Sequence, residues 1–113
     1  MIEVIREMHQ NSLIHCDIKP ANFCLEYGKT EFNELDDIKA IDFGLTGLWW
    51  NNREKKHTQW CDDIGPLGTP DFESTSSLKG ERKSRRDDME EICYSLIHFL
   101  TGNLPWTHMR ENL

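Results

Sequence analysis

Between Asp87 and Leu100, the residues Met89, Ile92, Cys93, Leu96, Ile97 and Leu100 fall at i, i+3, i+4, i+7, i+8 and i+11. That spacing is one face of an α-helix, and Tyr94 and Phe99 widen it. Ser84 or Asp87 can cap its start, and Asp87, Asp88, Glu90 and Glu91 suit the positive end of the helix dipole. Gly102 stops the helix and Pro105 prevents a restart. Each apolar side chain of the stripe is worth roughly 1.5–3 kcal/mol when buried, so the stripe needs cover. A chain of 113 residues allows one domain and not two. The remaining predicted elements are too short to cover the stripe, which predicts a chain that is partly molten or associates.

Those elements are few. Ile2, Ile5 and Met8 recur at three-residue steps, and Val4 meets Met8 at i,i+4, predicting a helix over residues 2–9. Leu13 and Ile14 lead into a loop that Pro20 keeps from becoming a long helix. Phe23 and Leu25 alternate with Cys24 and Glu26 as in a half-buried strand, and Ile38, Ala40 and Ile41 make a second. The two can pair as a hairpin across the polar connection Thr30–Asp37. From Phe43 to Lys83 there is little periodicity, and such long irregular stretches are usually functional or disordered. Trp49, Trp50 and Trp60 argue against disorder, because large aromatics favour burial.

The charge balance is acidic, 13 Lys+Arg against 20 Asp+Glu for a net charge of -7. That disfavours general nucleic-acid binding, which needs cations against phosphates. No apolar run approaches the about 20 residues of a membrane span, and no secretory leader is visible. Cys16, Cys24, Cys61 and Cys93 form no C-x-x-C pair and read as reduced thiols of a cytoplasmic or nuclear protein. A zinc set of His9, His15, Cys16 and Cys24 matches no familiar ligand spacing.

The chemistry-bearing residues lie in the irregular parts. His15-Cys16-Asp17-Ile18-Lys19-Pro20-Ala21-Asn22 holds an Asp, a Lys two residues on and an Asn five residues on; Asp42-Phe43-Gly44 follows 20 residues after that Asn. Each piece alone is weak. Together and in order, each beside a predicted strand, they match H-R-D-x-K-x-x-N and D-F-G, and the chain resembles a eukaryotic protein kinase. Gly68-Thr69-Pro70-Asp71-Phe72-Glu73-Ser74 and Ser84-Arg85-Arg86-Asp87-Asp88-Met89-Glu90 are similar to G-T-x-R-Y-A-S and S-R-R-D-D-L-E of the casein kinase I group. Gly102 and Leu104-Pro105-Trp106 continue the likeness. Tau-tubulin kinases and vaccinia-related kinases are sibling branches.

The resemblance implies a protein-kinase-like α+β fold in which residues 1–113 are a partial kinase domain: a mainly helical C-lobe with one small catalytic β-hairpin and no N-lobe. No G-x-G-x-x-G and no V-A-I-K is present, so the chain alone is expected to be inactive. It implies serine/threonine phosphoryl transfer from ATP with Mg2+ to a protein substrate. Asp17 is then the catalytic base and Lys19 the phosphate contact. Asn22 and Asp42 are then the magnesium ligands, and Gly44 allows backbone angles a side chain would forbid. Thr69 is expected to bond Asp17 and Lys19, and Asp88 to accept hydrogen bonds from the His15–Asp17 loop. The alternative is a non-catalytic kinase-like module that binds a partner through the Phe43–Ser74 activation segment.

Three residues depart from the pattern. Cys16 replaces the Arg that in most kinases pairs with a phosphate on the activation segment, which removes that mode of activation. Asp71 replaces a basic residue, weakening recognition of acidic substrates, and Cys93 replaces a small Gly. The cluster Arg82, Lys83, Arg85 and Arg86 reads either as an anion dock or as an exposed helix approach paired with Asp87 and Asp88.

Overall fold

The computed structural model describes residues 1–28 and 38–110. Helix α1 spans Ile2–Gln10 and strand β1 spans Leu13–Ile14. A 3-10 turn at Pro20–Asn22 leads into β2 (Phe23–Leu25). Then come β3 (Ile38–Ala40), β4 (Gly47–Leu48), β5 (Trp50–Asn51) and β6 (Lys56–His57). Helices α2 (Thr75–Leu78), α3 (Arg85–Thr101) and α4 (Thr107–Arg110) complete the order.

Among the described residues three antiparallel two-stranded sheets form, β1 with β4, β2 with β3 and β5 with β6. Leu13 faces Leu48, Phe23 faces Ala40, and Trp50 faces His57. The expected mainly helical C-lobe with one small hairpin and no N-lobe is therefore corrected. The sheets run through residues 13–57 and make a mixed α+β chain with a β-rich first half, and the ground for expecting inactivity from a missing lobe goes with that picture. Two-residue strands carry no alternation that a sequence can display; they form because turns bring backbones together. Asn51 Oδ1 accepts from the amides of Arg53 and Glu54 at 3.0 and 3.1 Å, closing the turn between β5 and β6. The Phe43–Lys83 stretch thus contains three strands and α2. Trp49 and Trp50 are half-buried within it, but Trp60 stays exposed. The Thr30–Asp37 connection lies outside the described residues.

Ile5, Ile18 and Ile92 make the buried apolar core, with Met1, Met8 and Phe23 packed around it. One residue each from α1, the loop after β1 and α3 meet there, so the core fixes that loop directly against two helices.

Helix α3 does not use the stripe that its sequence displays. Ile92 is buried, while Met89, Leu96 and Ile97 are about 40 % exposed and Leu100 is 86 % exposed. The buried face is instead Asp87, Asp88, Glu91, Ile92 and Ser95. Asp87 Oδ2 accepts from the Ser84 amide at 2.7 Å, completing a capping box, and Gly102 ends the helix at φ 85°. Among the described residues, no helix is long and apolar enough to cross a membrane.

Candidate active site

The acidic residues at the start of α3 anchor the loops around them. Asp88, fully buried, accepts from the amides of His15 at 2.9 Å and Cys16 at 3.0 Å. His9 Nε2 from α1 lies 2.8 Å from the same carboxylate. Asp87 accepts from Ser74 Oγ at 2.7 Å and Ser76 Oγ at 2.8 Å. Burial works against the Asp87 carboxylate, but these hydrogen bonds and that of the Ser84 amide outweigh it and hold its pKa below the ordinary value. Glu90 accepts from the Thr75 amide and hydroxyl and from Tyr94 Oη, and these bonds likewise overcome burial and lower its pKa.

The anchored loop carries Asp17, Lys19 and Asn22. Asp17 Oδ1 accepts from the Thr69 amide at 3.1 Å and from Thr69 Oγ1 at 2.9 Å. Lys19 Nζ donates to the same Thr69 Oγ1 at 2.7 Å and lies 3.8 Å from Asp17 Oδ2. Asn22 Nδ2 donates to the Asp17 carbonyl at 2.7 Å and to Asp17 Oδ2 at 3.3 Å. One hydroxyl thus bridges a carboxylate and an ammonium that come from a segment 50 residues away in the chain.

Asp42 is held beside this loop by its neighbours. The Ile41 amide donates to the Asn22 carbonyl at 2.9 Å, His15 Nε2 lies 3.1 Å from the Ile41 carbonyl, and the rings of His15 and Phe43 are 5.6 Å apart. The Asp42 carboxylate is exposed; its Oδ1 accepts from the Gly44 amide at 3.3 Å. Among the described residues it makes no direct hydrogen bond to Asp17 or Asn22. The left-handed backbone at this corner belongs to Asp42 (φ 58°), not to Gly44. At Gly44 a Cβ would come within 3.3 Å of Asp42 Oδ1, so what glycine supplies there is room.

Sequence reasoning missed Lys83 and Glu91. Both are buried, and Lys83 Nζ bonds Glu91 Oε1 as well as the Cys16 carbonyl at 2.8 Å. Glu91 lies one helical turn beyond Asp88, on the same face, which was the available signal. Burial lifts the Glu91 carboxyl to about 7 against the pull of Lys83. Burial, with Asp88 next, pushes the Cys16 thiol up to about 12, so this cysteine is a packed, unreactive group.

The basic cluster does not converge. Arg82 donates to the Gln59 carbonyl at 2.9 Å, Arg85 sits 3.5 Å over the Trp49 ring, Arg86 pairs with Glu81 at 3.6 Å, and Lys83 points inward. No group of three or more His, Cys, Asp or Glu side chains among the described residues could hold a metal ion. Cys16 is buried and Cys24 exposed, on opposite sides of the Asn22 turn in sequence.

A family model described as protein kinase domain matches residues 1–113. The chain is 34% identical over 110 residues to the casein kinase I homolog RAG8 of Kluyveromyces lactis, covering 97% of this chain and 20% of that protein. It is also 34% identical over 110 residues to casein kinase I homolog 1 of Saccharomyces cerevisiae, with the same coverage. The chain therefore spans about a fifth of the length of these curated relatives.

Proposed function

This chain belongs to the protein kinase domain family, and from that premise we propose that it serves serine/threonine phosphoryl transfer from ATP in the manner of casein kinase I. The observation that carries the reading is the joint hold of Thr69 on Asp17 and Lys19. It ties the segment that lies along a protein substrate to a base and a cation at once.

Asp17 accepts the proton of the attacking hydroxyl. Thr69 and Asn22 fix the two carboxylate oxygens so that the base meets the hydroxyl in one orientation. Lys19 places its ammonium against the transferring phosphoryl group, where negative charge spreads in the transition state. Asp88 holds the loop that carries both.

Magnesium fits the donors present. Asn22 spends its amide nitrogen on Asp17, which leaves its oxygen for a cation, and among the described residues the exposed Asp42 carboxylate receives a 3.3 Å amide bond from Gly44. Two protein oxygens suit an ion that takes its remaining ligands from water and phosphates. When bound, the ion neutralises charge on the triphosphate. Gly44 keeps the space beside Asp42 open. A protein substrate approaches along the activation segment, where Asp71 repels acidic residues. A cytoplasmic or nuclear setting accords with the free cysteines.

The test is transfer of labelled phosphate from Mg-ATP to dephosphorylated casein and to a basic protein, with phosphoamino-acid analysis. The expected result is phosphoserine or phosphothreonine, with Asp17→Asn and Asp42→Asn each reducing the rate by about 100-fold or more. Absence of transfer by the parent chain, or parental rates in either variant, overturns the assignment.

A further inference from the structure

We propose that the buried Lys83–Glu91 pair is a positioning device for Asp17, clamping the backbone on both sides of it. The proposal rests on the reading of Asp17 as the base and adds two residues that the kinase motifs do not contain.

The side chains are 3% and 1% exposed. Lys83 Nζ donates to the carbonyl of Cys16, the residue before Asp17, at 2.8 Å. Glu91 Oε2 accepts from the amide of Ile18, the residue after it, at 3.3 Å. Both peptide groups that flank the Cys16–Ile18 turn are therefore held by one ion pair. Cys16 itself stands at φ 70°, a left-handed conformation that costs a non-glycine residue energy and persists only where its surroundings over-determine it. Both of its backbone polar groups end on charged, buried side chains, its amide on Asp88 Oδ1 at 3.0 Å and its carbonyl on Lys83.

The same pair reaches the substrate side. Glu91 Oε1 accepts from the Ser74 amide at 3.3 Å, just before α2. A Cβ on Gly68 would come within 3.0 Å of both the Cys16 carbonyl and Lys83 Nζ, so the strand of chain delivering Thr69 passes directly over the ammonium. Lys83 thus sits where the Asp17 turn and the Thr69 segment touch. Burying such a pair is costly, and apolar residues of similar volume commonly serve stability as well or better. A purely stabilising role therefore leaves the choice of charges unexplained; the fixing of three backbone groups around the base explains it.

The deciding variant is the double Lys83→Met/Glu91→Leu, in which neither charge is left unpaired, beside Lys83→Met alone. In the full chain, amide hydrogen exchange at Ile18 and Ser74 is expected to accelerate at least tenfold in the double variant, with the protection of the α3 amides retained. In phosphate transfer, kcat should fall about 100-fold, as for a base displaced by about an ångström, with KM for ATP within about twofold. Lys83→Arg, which keeps the charge and the donors, should recover part of kcat. Unchanged exchange at Ile18 and Ser74 overturns the proposal without reference to activity. So does a folded double variant with parental kcat while Asp17→Asn is inactive. Parental transfer by Asp17→Asn instead removes the base assignment, and the positioning role with it.

Discussion

Replacing Asp88 by Asn tests the mechanical link between α3 and the loop that carries Asp17. The carboxylate is fully buried and receives two main-chain amides, at 2.9 and 3.0 Å, with His9 Nε2 at 2.8 Å. Hydrogen bonds to a charged group contribute about 1.5–3 kcal/mol each. Asn keeps one oxygen but turns an NH2 group toward a second donor, so one charge-assisted bond is lost outright and the other weakens to a neutral one. The expected cost to closure of the loop is about 2–4 kcal/mol. At about 1.36 kcal/mol per factor of ten, that is a roughly 30- to 900-fold loss of exchange protection at the amides of His15 and Cys16. Native-state hydrogen exchange followed residue by residue by NMR reads this directly. Amides in the middle of α1, which do not contact Asp88, serve as the internal reference. If the His15 and Cys16 amides keep their protection within about twofold, Asp88 does not hold the loop and the reasoning fails.

The raised Glu91 carboxyl makes a linked prediction. Its folded pKa of about 7 stands above the ordinary 4.5, so the folded state binds more protons between those values. Its contribution to stability is then fully present below the lower value and is lost as pH rises through the upper one. Glu91 faces Lys83 and Asp88, and urea midpoints taken at about pH 5 and 7 should flatten in Glu91→Gln; an unchanged slope contradicts the assignment. Asp87 and Glu90, with depressed pKa values, act in the opposite direction, losing their contribution as the solution is acidified below the ordinary carboxylate range. For the cysteines, alkylation at about pH 8 should label the exposed Cys24 and Cys93 quickly and Cys16 only after unfolding; equal rates for Cys16 and Cys24 would count against its burial. The exposed stripe of Met89, Leu96, Ile97 and Leu100 should make the chain associate at tens-of-micromolar concentration, and Ile97→Glu with Leu100→Glu should shift sedimentation toward the monomer. A parent chain that sediments as a monomer there refutes the expectation.

The sequence alone determined what depends on local order. The strand pair at Phe23–Leu25 and Ile38–Ala40, the extent of α1 and α3, and the ordered set Asp17, Lys19, Asn22 and Asp42 are all legible there. Each rests on spacing within a few residues or on a motif of fixed order. The tertiary structure decided which face of α3 turns inward. The helical pattern advertised an apolar stripe, but Asp87, Asp88 and Glu91 take the buried face because loops from three other parts of the chain bring amides, hydroxyls and an ammonium to them. A carboxylate is buried only where such partners arrive, and their arrival is a long-range event. The two-residue strands β4, β5 and β6 were hidden for a related reason, since so short a pairing is fixed by turns and neighbours and leaves no period in the side chains. Lys83 looked like one of four surface cations. It became an interior contact because the carbonyl of Cys16 and the carboxylate of Glu91, 67 and 8 residues away in the chain, meet at its amine.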